Sequence, residues 1–322
     1  MKQYIIRRIL ISILVLFGVS MLIYGIIRSI PGDFVEQMTS GNPSITAEQK
    51  ELLRESYGLN GTITEGYIQW VKKAVTGDLG TSFMYGKPVT EVIGSRMWTS
   101  FSLSAIALAI ELAIAIPLGI VAATKQYTKT DYAIVFLALA GISLPSFFFA
   151  AILQRVFSMG LGWLPLSGMV TARANYTGFS AILDIGYHFI LPIIVFVVIG
   201  MGSWLRYVRT NMLEVLSADF VRTARAKGLS ERKVINKHAF RNTLIPIVTF
   251  IGGSIPGLFA GAIITEGIFS IPGLGKAGLD AVHNKDLPFL MGYLMFMAVL
   301  TLLGTLISDI LYAVVDPRIR YN

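Results

Sequence analysis

Residue types that usually carry covalent or metal chemistry are scarce in this sequence of 322 residues. It has no cysteine and three histidines, which excludes disulfides and thiolate nucleophiles and leaves little for a histidine-rich metal site. Ser254 and His188 lie in two different apolar segments, but no third group completes a hydrolytic site, so a membrane-embedded hydrolase is a weak alternative. We therefore expect no catalytic residue and no metal site.

Glycine-rich phosphate-binding motifs are the next candidates. The run 273–278 (GLGKAG) satisfies G-x-G-x-x-G, but it follows Pro272 rather than a strand, so a turn is the better interpretation. No G-x-x-x-x-G-K-[ST] sequence occurs, because neither Lys87 nor Lys276 is followed by serine or threonine. The chain therefore carries no nucleotide-hydrolysing motif of this kind.

A few polar side chains in or beside long apolar segments could contact a solute. A charge in the middle of a membrane span costs at least ~2.5 kcal/mol, so a carboxylate there should face the protein interior or a wet cavity. Such groups could line a pathway or bind a charged part of a solute, or they could form an internal hydrogen bond or a subunit contact. The candidates are Glu111, Arg155, Ser254 and Asp309.

The elements that must position these residues are long apolar segments. Hydrophobic residues make up 54 % of the chain and charged residues 14 %, about half the usual charged fraction, which makes a soluble enzyme improbable. A helix needs roughly 20 apolar residues to cross a bilayer. Six segments qualify: 9–27, 101–123, 132–159, 187–204, 244–265 and 287–315.

Prolines and glycines interrupt several of these spans. They can kink a helix or open its backbone where protein or a water-filled cavity satisfies the freed carbonyls. The fifth span is richest in them, so we expect it to line a pathway and to move most, although close helix packing explains its glycines equally well. The hinge candidates are Pro145, Pro192, Pro246, Gly252, Gly253, Pro256 and Gly257.

The charges predict an orientation. With the N-terminus inside, the inner parts carry a net charge of +11 and the outer parts −3, in accord with the positive-inside rule. Six spans then place both termini in the cytoplasm. The overall charge of +8 thus reflects membrane orientation rather than a nucleic-acid partner.

The outer loop 31–99 has helical signals of its own. Thr46 with Gln49, and Thr62 with Glu65, each match a capping box at a helix start. We expect short amphipathic helices at the membrane surface or packed over the spans. They could form a simple lid or a docking surface for an extracellular partner.

The inner loop 205–243 is basic and patterned. Ser217 can cap a short helix with Phe220 and Ala224 on one face, and Gly228 can end it in a left-handed conformation. An exposed apolar stripe in a solvated loop favours a protein partner. Lipid-headgroup contact would explain the charge but not the glycine.

A second short helix should follow in the same loop. Ser230 can cap it, and Leu229 and Val234 are spaced as a hydrophobic staple. The loop therefore predicts a helix–glycine–helix element.

This loop carries a family resemblance. The run 218–228 (ADFVRTARAKG), followed by 238–242 (HAFRN) and Pro246, resembles the EAA loop of binding-protein-dependent ABC importer permeases. In the general E-A-A pattern, Arg222 and Thr223 stand where the glutamate and the first alanine would be. Only Ala224, at the second alanine, and Gly228 match that pattern. The form found in the dipeptide/oligopeptide/nickel branch fits better.

Further fragments resemble the B-type permease subunit of that branch, essentially end to end. They are 4–10 (YIIRRIL), 31–33 (PGD), 77–80 (GDLG), 164–168 (LPLSG), 268–275 (IFSIPGLG) and 316–318 (DPR).

The resemblance implies an all-α polytopic membrane protein with six transmembrane helices, the type I ABC importer (MetI-like) permease fold and a short-helix extracellular loop. It implies a bacterial-type cell membrane, a homologous second permease, two ATPase subunits that bind ATP and Mg, and an outer substrate-binding protein. The chain itself would hold no cofactor. The ATPase-coupling residues would be Ser217, Asp219, Phe220, Arg222, Thr223, Ala224, Arg225, Lys227 and Gly228.

The implied organisation has four parts. They are the tail and first span (1–30), the extracellular loop (31–99), a five-span core with the coupling loop 205–243 (100–315), and a cytoplasmic tail (316–322).

Two alternatives to a peptide importer remain open. A nickel or other small-solute importer would use nearly the same scaffold, although three histidines argue mildly against metal handling by this subunit. An ion-driven secondary transporter would predict inverted repeats with paired broken helices, which the sequence does not display.

Overall fold

The computed structural model describes residues 2–40 and 45–315, and within them most of the chain is helical. The predicted tail 316–322, with its DPR fragment, lies outside the described residues. The helices are α1 (Lys2–Ser29), α2 (Phe34–Thr39), α3 (Ala47–Ser56), α4 (Ile63–Ala74), α5 (Val89–Thr124), α6 (Lys129–Ser143), α7 (Ser146–Leu153), α8 (Phe179–Leu216), α9 (Asp219–Ala226), α10 (Glu231–Lys233), α11 (Phe240–Ala260), α12 (Ile263–Ile268), α13 (Leu274–Asn284) and α14 (Leu287–Val315).

Five helical segments are long and apolar enough to cross a membrane, and they contain α1, α5, α8, α11 and α14. A sixth span is formed by α6 and α7, with the π-helical turn Gln154–Gly160 that continues α7. These two helices are bent by 96° at the break between them. The third span predicted over 132–159 is therefore bent at Pro145, one of the hinge candidates, because Leu144 and Pro145 are both extended, as the residue before a proline tends to be.

The fifth span breaks at a different place from the predicted prolines. Pro246 and Pro256 lie within the continuous helix α11, and Pro192 lies within α8. The chain leaves α11 at Gly261, which has φ +71°, and a separate short helix α12 follows. The predicted end of this span at residue 265 thus falls inside α12.

The two ends of the bundle differ in structure. We call the end that carries α9 the α9 side, and the end that carries α3, α4 and α13 the α13 side. The most extensive packing joins α5 to α8, and α11 packs along α14. A large apolar cluster fills the α9 side with residues of α5, α6, α8, α9 and α11.

Both predicted capping boxes are confirmed. Thr46 and Gln49 bond reciprocally at the start of α3, and Thr62 and Glu65 do so at the start of α4. The hydrogen bonds from Thr62 to the carboxylate lower the pKa of Glu65, since they favour its charged form. These helices are therefore defined by local hydrogen bonds.

Helix α4 packs against the first span rather than standing free. The Tyr67 hydroxyl lies 2.8 Å from the Ser20 hydroxyl, and the rings of Tyr67 and Tyr24 are 5.6 Å apart. The Arg28 guanidinium donates to the carbonyls of Leu59 and Gly61, just before α4 begins. The first loop is thus tied to α1 along much of its length.

A buried aspartate pins the end of this loop to α14. The Asp286 carboxylate accepts the Ser82 hydroxyl at 2.5 Å, the Met84 N–H at 3.0 Å and the Phe289 N–H at 3.2 Å. The last of these bonds caps the start of α14. One side chain therefore fixes both the helix start and the turn before α5.

A second buried carboxylate explains the glycine-rich run at 273–278. Glu266 accepts the Ser100 hydroxyl at 2.6 Å and the Lys276 N–H at 2.9 Å, in the first turn of α13. A Cβ at Gly273 would collide with this carboxylate. The run is a turn, as expected from its context, and it is wrapped around Glu266.

Replacing this carboxylate should destabilise the α13 side. In Glu266→Ala, the hydroxyl and N–H groups that it binds stay buried without a partner, at a cost of about 1–3 kcal/mol each. We expect a clearly lower thermal midpoint for the purified protein in detergent. Glu55→Ala removes an exposed carboxylate from α3 and is the matched control. Equal midpoints for the two variants would contradict the role assigned to Glu266.

Candidate functional site

The loop between α8 and α11 forms the short helix α9 that the sequence predicts. The start of α9, however, is not capped by Ser217. The Ser217 hydroxyl donates to the Glu214 carbonyl at 2.7 Å, so it closes α8. The residue before α9 is Ala218, whose side chain cannot cap. The prediction that Ser217 caps α9 was therefore wrong, because its hydroxyl is used by the preceding helix.

Gly228 ends this element as predicted. Its φ is +74°, and its N–H donates to the Arg225 carbonyl at 2.9 Å. A side chain at this position would meet open space, so the positive φ alone favours glycine.

Helix α9 has an inner and an outer face. Val221 and Ala224 are buried in the apolar cluster of the α9 side, whereas Phe220 is 46 % exposed. The predicted pairing of Phe220 with Ala224 on one apolar face was thus wrong, since the buried pair is spaced by three residues. The outer face is formed by Asp219, Phe220, Arg222, Thr223 and Arg225.

An ion pair braces the turn that follows α9. The Arg225 guanidinium donates twice to the Glu231 carboxylate, at 2.7 and 3.2 Å. This contact raises the pKa of Arg225. The pair links α9 to α10 across Gly228. Arg222 and Asp219 lie 3.7 Å apart at the surface, where such a pair contributes little.

The second predicted helix is the first part of the fifth span. Ser230 has the extended backbone of an N-cap, but its side chain makes no capping bond. Val234 is fully buried and Leu229 packs against the same cluster. The π-helical turn Val234–Ala239 joins α10 directly to α11. Helices α10 and α11 are therefore continuous, and the turn 227–230 alone separates them from α9.

A buried ion pair on the α9 side was missed by sequence reasoning. The Arg209 guanidinium donates twice to the Asp131 carboxylate, both at 2.8 Å, and the Tyr127 N–H donates to it at 3.0 Å. Thr128 caps α6 at the same place. The pattern T-x-x-D at 128–131 signals that helix start, but the partner 78 residues away is a tertiary contact.

Glu111 lies at a cavity within the bundle. Its side chain is 7 % exposed and packs directly against Gly200 of α8. The cavity has a volume of about 420 Å³ and is lined from α5, α7, α8 and α12, with Ser146 and Thr265 as its other polar side chains. Glu111 is thus the one carboxylate among the described lining residues of a mainly apolar chamber.

The other three solute-contact candidates lie elsewhere. Arg155 is exposed on the π-helical turn after α7. Asp309 pairs with Arg8 at 3.0 Å and joins α14 to α1. The Ser254 hydroxyl donates to the Phe250 carbonyl of its own helix at 2.9 Å. The four candidates therefore do not converge on one site.

The predicted hinge residues Gly252, Gly253, Pro256 and Gly257 of α11 divide into two groups. Gly252 and Pro256 face α14, where Gly304 packs closely against Pro256. Gly253 and Gly257 are exposed, with open space at their Cβ positions. Close packing against α14 thus explains the small residues on one side of α11, whereas the side with Gly253 and Gly257 contacts no other described helix at these positions.

Metal chemistry finds no support in the part of the chain that the structure covers. Among residues 2–40 and 45–315, no three histidine, aspartate or glutamate side chains form a group that could hold a metal ion.

Comparison with known proteins identifies the family. Residues 115–321 match the family described as the inner membrane component of binding-protein-dependent transport systems, and residues 1–104 match the N-terminal part of such components. This chain belongs to that family. It is an integral membrane protein with the type I ABC importer permease fold.

Two curated relatives match this chain over their full length. It is 41 % identical to the oligopeptide transport system permease protein AppB of Bacillus subtilis, over all of both chains. It is 37 % identical to the dipeptide transport system permease protein DppB of Escherichia coli K12, again over all of both chains.

A solved structure agrees on the fold. The inward-facing MetNI methionine ABC transporter matches with a TM-score of 0.54 and 14 % identity, over 70 % of this family member and 97 % of that chain. The predicted all-α fold with up to six spans is confirmed.

The buried ion pair allows a stability test of the α9 side. Asp131→Asn leaves the Arg209 charge without its partner, and because the Arg209 side chain is 21 % exposed, the cost should lie below the roughly 3–5 kcal/mol of a fully buried pair and above that of a surface pair. We expect a large fall in the thermal midpoint, partly recovered when Arg209→Leu is added. Asp219→Asn in the exposed pair should change little. Equal effects of the two asparagine variants would contradict this assignment.

Proposed function

We propose that this chain is the permease subunit of an ATP-driven importer of di- and oligopeptides. It would form the translocation pathway with a homologous second permease and assemble with two ATPase subunits and an outer substrate-binding protein. The observation that carries the proposal is α9, a short helix seated on the bundle core with an exposed outer face. The names of the full-length relatives supply the peptide cargo.

The basic residues support an orientation with the α9 side in the cytoplasm. Nine lysine and arginine residues occur in 205–243, and cytoplasmic loops are enriched in such residues. Both termini would then be cytoplasmic in a bacterial cell membrane, and the α13 side would face outward. A binding protein would dock on that outward side.

Helix α9 would act as the coupling helix. Phe220, Arg222 and Thr223 would contact a cleft of the ATPase, where ATP and Mg bind, since this chain has no P-loop lysine motif. Val221 and Ala224 would pass the displacement into the apolar core. Closure of two ATPase subunits would thus reorient the spans from inward-open to outward-open.

The cavity beside Glu111 would form part of the pathway. A carboxylate in an apolar chamber suits the ammonium group at the start of a peptide, because the low dielectric of the chamber strengthens the attraction. The open face of α11 with Gly253 and Gly257 would line the pathway or contact the second permease.

Removing the exposed aromatic ring should uncouple transport. We expect Phe220→Ala to reduce ATP-dependent uptake of a labelled dipeptide into proteoliposomes by about tenfold or more, as for a central interface anchor. Co-purification of the ATPase should weaken in parallel. Phe136→Ala removes an exposed ring of α6 and should leave uptake unchanged.

The same assay separates this proposal from its rivals. Uptake that needs ATP and resists a protonophore supports an ABC importer. Uptake that continues without ATP and stops with a protonophore would instead indicate an ion-driven transporter. ATP-dependent uptake of Ni²⁺ rather than peptide would contradict the proposed peptide cargo but not the ATP-driven importer.

The role of Glu111 in binding the peptide ammonium group can be tested by removing its charge. We expect Glu111→Gln to slow uptake of dipeptides with a free amino terminus, because the amide cannot balance the ammonium charge. Uptake of N-acetylated dipeptides, which lack that charge, should change little. Equal uptake of both by the variant and the unmodified protein would remove Glu111 from the pathway.

A further inference from the structure

Two cavities adjoin each other on the α13 side, away from the Glu111 chamber. The upper cavity lies between α1, α3, α4 and the turn before α5, and the lower one lies between α4, α5 and α14. Each has a volume of about 470 Å³. Trp70 and Leu79 line both, so the two cavities meet at these side chains.

The upper cavity is the more polar of the two and carries an available cation. Arg28 already donates to two backbone carbonyls, and the Asp78 carboxylate already accepts the Gly80 N–H at 2.8 Å. Lys73 also lines this cavity, and its ammonium makes no ion pair with any residue in the described ranges. An anionic group in the cavity would therefore bind beside Lys73.

The lower cavity is apolar and lies along helices that span the membrane. Its lining side chains include Ile93 and Met97 of α5, and Phe296 and Val299 of α14. Gly94 also lines it, and a Cβ there would meet open space. The cavity thus has room for an alkyl chain.

Trp70 lies where the two cavities meet, and its indole N–H is an unused hydrogen-bond donor among the described residues. Its indole Nε1 is buried and has no hydrogen-bond partner in the part of the chain that the structure describes. Buried N–H groups nearly always have an acceptor, and tryptophan is typical of the headgroup level of a membrane. An ester or phosphate oxygen between the two cavities would supply that acceptor.

We propose that these cavities bind one glycerophospholipid from the bilayer leaflet on the α13 side. Its phosphate binds Lys73, an ester or phosphate oxygen accepts the Trp70 N–H, and one acyl chain fills the lower cavity. The bound lipid joins α4 to α5 and α14. This site depends on the chain being an integral membrane protein and not on its cargo.

The test is lipid binding to the purified full-length chain in detergent, measured by native mass spectrometry. The probe is dioleoyl phosphatidylglycerol, and dioleoylglycerol offers the same chains without a phosphate. We expect one phosphatidylglycerol to bind and dioleoylglycerol to bind far more weakly. Equal binding of the two would overturn the proposal.

Variants locate the site within the chain. We expect Lys73→Ala to weaken binding by about tenfold, as for loss of one charge-assisted contact. Lys72→Ala removes a neighbouring exposed charge that lines neither cavity and should bind as the unmodified protein does. Equal binding by the two lysine variants would overturn the assignment of the phosphate.

A second pair tests the acyl chain. Gly94→Leu fills open space in the lower cavity and should abolish binding, whereas Gly18→Leu also projects into open space, on α1, and should not. Unchanged binding in Gly94→Leu would overturn the lower half of the site. The thermal midpoint of each lipid-free variant shows whether it is folded.

Discussion

The close approach of α5 to α8 is the contact on which most of this structure depends. At Gly119 of α5, an added Cβ would lie 2.7 Å from the Val208 side chain, and at Gly200 of α8 it would collide with the Glu111 carboxylate. In a bilayer, such close packing is a main source of helix association, because lipid is as apolar as the side chains. The two helices therefore meet over small residues along much of their length.

This contact links the two halves of the molecule. Towards the α9 side, the same helices contribute to the cluster that holds Val221 and Ala224 of α9. The Asp131–Arg209 pair closes that end. Towards the middle, α5 and α8 supply two walls of the cavity at Glu111. A packed core thus connects α9 with the walls of the Glu111 cavity, and in the proposed function a displacement of α9 would be transmitted along it.

The α13 side is organised by buried carboxylates instead. Glu266 binds the first turn of α13, and Asp286 binds the first turn of α14. Each also accepts a serine hydroxyl from a distant segment, Ser100 or Ser82. Backbone N–H groups at helix starts favour negative charge, so these carboxylates fix where helices begin without a strand or a disulfide. Around them lie the tied-down first loop and the two cavities assigned to a lipid.

The sequence by itself determined the apolar spans, the two capping boxes of α3 and α4, and the left-handed end at Gly228. These features depend on hydropathy or on hydrogen bonds within four residues, which local sequence encodes. The tertiary structure alone decided that Ser217 closes α8, that Val221 rather than Phe220 is buried, and that the glycine-rich run packs around the Glu266 side chain. It also brought Arg209 to Asp131 on the α9 side and placed Trp70 in the wall shared by the two cavities of the α13 side. Such contacts join segments far apart in the chain, and the packing of whole helices selects them.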